Sequence, residues 1–139
     1  MTAVEPIVFL VDDDPSVRRG LDRLLRAAGH RVETFTSAKE FLERSEHDGP
    51  QCVVLDVRML GQGGIELHEH LVASGRDIPV IFITGHADVP TAVRAMKAGA
   101  VDFLSKPVDD VELLGATGLA LERDRRRWEA ERSLRDGGA

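Results

Sequence analysis

Four carboxylates, a hydroxyl and a lysine follow short apolar runs in this 139-residue chain. Asp12, Asp13 and Asp14 come directly after Ile7–Val11, and Asp56 comes directly after Cys52–Leu55. Thr84 follows Pro79–Ile83, and Lys106-Pro107 follows Val101–Leu104 after one intervening serine. Carboxylates held close together repel and raise one another's pKa, and a hard divalent cation relieves that repulsion. Mg²⁺ suits one or two carboxylates completed by water and phosphate oxygens. A carboxylate beside such a cation can attack a phosphoryl group and become an acyl phosphate. Lys106 would supply fixed positive charge to the phosphoryl oxygens, and the Thr84 hydroxyl would hydrogen-bond one of them.

The elements that must position these residues read as strands alternating with helices. The runs IVFLV, CVVL and PVIFI are apolar throughout, as strands buried on both faces of a parallel sheet are. RVETF at 31–35 alternates and is expected at an edge, as is the short VDFL at 101–104. Helical patterns cover Pro15–Ala28, a segment opening at Ser37, Gly64–Ala73, Pro90–Ala98, and a stretch from Asp109 or Asp110 to about Arg135. Asp14, Ser37 and Asp88 are expected as N-caps, Ser37 in a capping box with Glu40. Gly29 and Gly99 are expected to end their helices. Strand–helix repeated five times implies a doubly wound parallel sheet with helices on both faces, whose ligands sit at the carboxyl ends of the strands. Four of the five strands deliver a polar or charged residue to that edge.

VDDDPSVRRGLDRLL, VVLDVRM with Gly64 eight residues after Asp56, and IPVIFITGHADVPTAVRAMKAGAVDFLSKP together resemble the receiver domain of two-component response regulators. The last block is similar to the FixJ-type subfamily, and the resemblance covers about residues 6–121. It implies an α/β fold: a flavodoxin-like, doubly wound (βα)5 sheet of strand order 2-1-3-4-5. It also implies a receiver over 1–121, with 122–139 a linker-like extension of the fifth helix. By that resemblance Asp56 is the phosphoacceptor, Asp13 is a direct Mg²⁺ (or Mn²⁺) ligand, and Asp12 acts through water. The Arg58 backbone carbonyl is a further ligand, and Thr84 and Lys106 contact the phosphoryl group. Phe103 matches the family's aromatic switch, and Lys106-Pro107 is expected to be cis. The implied partners are a sensor histidine kinase and a second copy, paired through the fourth helix and fifth strand on phosphorylation. DNA is reached only through an output domain absent from this chain, in a cytoplasmic regulator of transcription. One departure is Leu60, where the family usually has Pro, followed by Gly61, Gly63 and Gly64.

Composition excludes other classes. The chain is 42% hydrophobic and 30% charged, with net charge -6. That gives about one domain with one modest core. Residues 1–121 carry 12 Lys+Arg against 19 Asp+Glu, whereas 122–139 carry six Arg against five acids. An acidic body with 4% aromatics and no Tyr is a poor binder of phosphate backbone or stacked bases. The single Cys52 permits no internal disulfide and no cysteine metal cluster, and is expected in the core. No apolar run is long enough for a signal peptide or a membrane span.

Other polar residues read as surface. His68 and His70 stand two apart on one helix, point to different faces and form no metal pair; both are expected on the surface. His86 is expected in a solvent-facing loop, and GQGG at 61–64 is a turn rather than a phosphate loop. Acids interleave with RDRRRW at 123–128 as in a solvated helix with pairs three and four residues apart. Leu114, Leu121 and Trp128 recur every seven residues, a possible short coiled-coil seam and a second dimer candidate. Two rival readings remain at this point. A haloacid-dehalogenase-like phosphatase would use Asp12 as nucleophile and Asp14 as acid, with Thr84, Lys106 and Asp109-Asp110 in the later motifs. It leaves Asp56 without a role. A pseudo-receiver would bind only through its surface.

Overall fold

The computed structural model describes residues 5–59, 61–86 and 88–137, with side chains through Leu134. Five strands and five helices alternate: β1 (Ile7–Val11), α1 (Pro15–Ala27), β2 (Arg31–Phe35), α2 (Ala38–Leu42), β3 (Gln51–Asp56), α3 (Gly64–Ala73), β4 (Val80–Thr84), α4 (Val89–Lys97), β5 (Asp102–Ser105) and α5 (Asp110–Gly137). The sheet is wholly parallel in the order β2-β1-β3-β4-β5. Every residue of β1, β3 and β4 is buried, whereas the edge strands β2 and β5 bury only Val32 and Leu104. The apolar runs thus become the central strands.

Side-chain alternation sorts the core into two layers. Phe9, Val53, Leu55, Val80 and Phe82 pack under α2, α3 and α4. Val8, Leu10, Val54, Ile81, Ile83 and Leu104 pack under α1 and α5. Each fully buried Leu, Ile or Phe contributes about 1.5–3 kcal/mol of transfer free energy, so both faces hold the sheet.

Helix starts follow the caps read from sequence. Asp14 accepts from the backbone of Ser16 and Val17 ahead of Pro15. Asp88 accepts from Thr91 N at 2.8 Å. Ser37 accepts from Glu40 N, but the Glu40 carboxylate reaches Thr36 N and Thr36 Oγ1 rather than the Ser37 amide. The expected capping box is therefore shifted back by one residue, because the Thr36 hydroxyl offers a second donor there. Gly29 and Gly99 take positive φ at the ends of α1 and α4.

One expectation is corrected. His68 is buried rather than on the surface, 4% exposed, with its ring edge-on to Phe82 at 5.5 Å. It lies with Ile65 and Leu71 on the inner face of α3, three residues from each, while His70 faces solvent. Of the heptad residues, Leu121 is buried in the chain's own core, and the half-buried Trp128 donates from Nε1 to Asp48. Cys52 is buried as expected, and burial pushes its thiol far up.

Candidate functional site

The parallel register carries the chemistry to one edge. Val11 pairs with Leu55, so Asp12 and Asp56 follow side by side as their strands end. Asp56 itself pairs with Ile83, and Thr84 with Ser105. Thr84 and Lys106 are then joined through the backbone, Lys106 N donating to Thr84 O at 2.7 Å. Lys106-Pro107 is cis, as expected.

Oxygens of Asp12, Asp13 and Asp56 lie within 4.8 Å of one another. Lys106 Nζ stands 3.0 Å from Asp12 Oδ2 and 3.2 Å from Asp56 Oδ2. Asp12 and Asp56 are buried; Asp13 is half-buried. Backbone amides fix the inner oxygens: Asp14 N donates to Asp12 Oδ1 at 2.9 Å and Arg58 N to Asp56 Oδ1 at 3.2 Å. Asp12 Oδ2 is buried, and although it lies beside the Lys106 ammonium it accepts no aligned hydrogen bond. A buried carboxylate oxygen with spare lone pairs, inside a cluster of three acids, fits a hard divalent cation with oxygen ligands.

Burial raises the pKa of Asp56, the Asp12 charge raises it further, and Lys106 and the Arg58 amide pull it back only in part. Burial acts to lower the Lys106 pKa, but the contacts and charges of Asp12 and Asp56 outweigh it and hold Lys106 above its ordinary range. The pocket is thus strained toward taking up positive charge at its carboxylates.

Thr84 is buried, and its Oγ1 accepts from His86 N at 3.1 Å. Phe103 is half-buried against the α4 layer, its ring 6.3 Å from that of Phe82. Asp14 caps α1 and stands outside the acid cluster. Leu60 lies outside the described residues, as does Ala87 of the loop before α4.

Sequence reading missed two supports. Arg18 reaches back from the first turn of α1, and its Nη1 donates to Asp12 O at 2.7 Å. Only helix phase separates it from the exposed Arg19. Gly64 opens α3 where a Cβ would collide with the Asp56 carbonyl, so the helix start can press against the end of β3 only with glycine there. Gly61, by contrast, is the turn glycine expected, at φ +81. A groove of about 500 Å³ runs between α1 and the Lys106–Asp110 segment, but none of the three clustered acids lines it.

A family model for the response regulator receiver domain matches residues 8–117. The chain belongs to that family. It is 51% identical to Nodulation protein W of Bradyrhizobium diazoefficiens, over 95% of this chain and 58% of the relative. It is 47% identical to the transcriptional regulatory protein FixJ of Azorhizobium caulinodans, over 84% and 55%. The chain therefore spans a little over half the length of these curated relatives. Among solved structures, the response regulator StyR superposes with a TM-score of 0.88 at 49% identity, covering 95% of this chain and 67% of that one. The receiver FixJ-N superposes at 0.75 and 40% identity, covering 88% and 96%. This receiver is a signalling domain of a two-component system, with phosphorylation on aspartate as its expected mechanism, and the phosphatase reading is not favoured. No described helix is long and apolar enough to cross a membrane.

Proposed function

We propose that Asp56 accepts a phosphoryl group from a phosphohistidine of a sensor histidine kinase. The observation that carries this is the cluster at the strand edge, with Asp56 Oδ2 facing Lys106 and Asp12 and Asp13 alongside. An Asp56 carboxylate oxygen attacks phosphorus, a P–O bond forms, the P–N bond breaks, and the imidazole leaves with the bond's electron pair. Asp13 and Asp56 would hold Mg²⁺ or Mn²⁺ directly, with the Arg58 carbonyl, and Asp12 through water. The cation supplies charge neutralisation for the phosphoryl oxygens as negative charge crowds the pocket. Lys106 neutralises a further oxygen and keeps Asp56 and Asp12 oriented. Gly64 and the Arg58 amide hold the Asp56 backbone and inner oxygen still, and Arg18 holds the carbonyl of Asp12.

The Thr84 hydroxyl would turn to hydrogen-bond the phosphoryl group. That move releases volume under α4, and Phe103 would swing into it. The surface then altered carries Val93, Met96 and Lys97, all three exposed, and a second receiver would pair there. Hydrolysis of the acyl phosphate by water resets the domain. Relatives named as transcriptional regulators support a place in the cytoplasm upstream of gene control, with DNA reached through an output domain.

Intact mass spectrometry after incubation with Mg²⁺ and acetyl phosphate tests the acceptor. One added phosphoryl group is expected, absent in Asp56→Asn. Labelling that survives Asp56→Asn and vanishes in Asp12→Asn would restore the phosphatase reading. No labelling of the unsubstituted chain would favour a pseudo-receiver.

A further inference from the structure

The acidic pocket lies at the carboxyl edge of the parallel sheet, and a second set of polar contacts lies at the opposite edge, where β3 begins. Asp124 is 1% exposed although it sits in the most charged stretch of the chain. Its Oδ2 accepts from the backbone N–H of Gln51, the first residue of β3, at 2.8 Å. Its Oδ1 accepts from Arg127 Nη2 at 2.7 Å and Nε at 3.0 Å. Arg127 continues to Glu131 at 2.8 Å. One turn further on, Trp128 Nε1 donates to Asp48 Oδ1, and Arg132 lies over the Trp128 ring at 4.8 Å. Two chains of contact thus tie the extension of α5 to the segment 48–51. A solvated linker helix would need neither a buried carboxylate nor these long-range bonds.

We propose that Asp124, Arg127 and Trp128 form a latch on residues 48–51 that makes 122–132 a rigid arm of the receiver. The arm is about 16 Å long at helical rise. It keeps one direction whether or not Asp56 carries a phosphoryl group, because the latch holds the foot of β3 and the chemistry occupies its head, roughly 17 Å away at strand rise. Ion pairs Arg125–Glu122, Arg125–Glu129 and Arg127–Glu131 stiffen the arm along its own axis. Leu121, buried in the core just before the arm, and Trp128, bonded to Asp48, anchor its inner face to the chain itself. Whatever follows the arm in a longer relative would be held at a fixed angle to the receiver, and activation would travel through the α4 surface instead.

Paired spin labels test this. Thr34→Cys on β2 and Ser133→Cys beyond the arm are both exposed, while the native Cys52 is buried and unreactive. A single narrow distance distribution is expected by electron double resonance, unchanged by beryllofluoride and Mg²⁺. Trp128→Ala should broaden it, and Trp128→Ala with Asp124→Ala should broaden it several-fold, with Asp56 labelling retained in both. Trp128→Ala removes only a half-buried ring, so its effect stands even if the double variant folds poorly. A broad distribution in the otherwise unsubstituted protein overturns the latch. So does one that stays narrow without Trp128, or one that shifts with beryllofluoride.

Discussion

Asp56 is held in the fold against its own ionisation. Its folded pKa lies above the ordinary carboxylate value because of burial and Asp12, with Lys106 compensating in part. Between the unfolded value and the raised folded value the native state binds more protons, so stability falls as pH rises through that window. Asp56→Asn should therefore raise the melting temperature at pH 7 by a few degrees, at about 4 °C per kcal/mol for a domain of this size. The gain should shrink as pH approaches 4, which a pH series of thermal melts would reveal; an unchanged or lowered melting temperature at pH 7 would contradict it. The same crowding would make a bound divalent cation a stabiliser. At 100 times its dissociation constant, Mg²⁺ would add about 2.7 kcal/mol by linkage, or roughly 10 °C. Asp13→Ala should abolish that rise in a melt with and without Mg²⁺, and an intact Mg²⁺ response in the variant would place the cation elsewhere.

At the scale of elements, α3 carries two features that join the site to the core. Gly64 lets its first turn meet the end of β3, and His68 enters the layer beneath it against Phe82, whose ring in turn meets Phe103. Burial lowers the His68 pKa, with Glu69 opposing. The unfolded chain then binds more protons below its ordinary value near 6.5, so His68 withdraws stability as pH falls through that value. His68→Leu should reduce the loss of melting temperature between pH 7.5 and 5 relative to the unsubstituted chain. Equal losses in both would mean that folding does not shift the His68 pKa, the native chain taking up that proton as readily as the unfolded one. Arg94 of α4 pairs with Glu69 of α3 at 2.8 Å, an exposed pair worth a few tenths of a kcal/mol. That pair therefore contributes little to holding the two helices together.

At the scale of the whole molecule, α4 exposes Val89, Val93 and Met96 beside Lys97, as α5 exposes Val111, Leu119 and Leu134. Sedimentation should show tighter dimers with beryllofluoride and Mg²⁺ than without. Lys97→Glu should weaken the dimer about tenfold while Asp56 is labelled normally. An activated form that remains monomeric at high concentration would remove this face as the output. A state with some dimer before activation is expected, since a ligand moves such an equilibrium only by its differential affinity for the two forms.

The sequence by itself made the parallel fold legible, because short apolar runs alternating with helical patterns suit strands buried on both faces and the alternating RVETF suits an edge. It also determined which residues reach the carboxyl edge, since a strand's last apolar residue fixes where its polar successor emerges. The N-caps at Asp14 and Asp88 were legible for the same local reason. What only the tertiary structure decided depended on the neighbours that a side chain meets. His68 and His70 have the same chemistry and differ only in helix phase against a sheet whose position the sequence does not print. Asp124 reads as one more acid in a charged helix until the foot of β3 is placed beneath it. Leu121 and Trp128 keep a heptad spacing, and only the fold shows that one enters the chain's own core and the other reaches Asp48, partners far away in sequence.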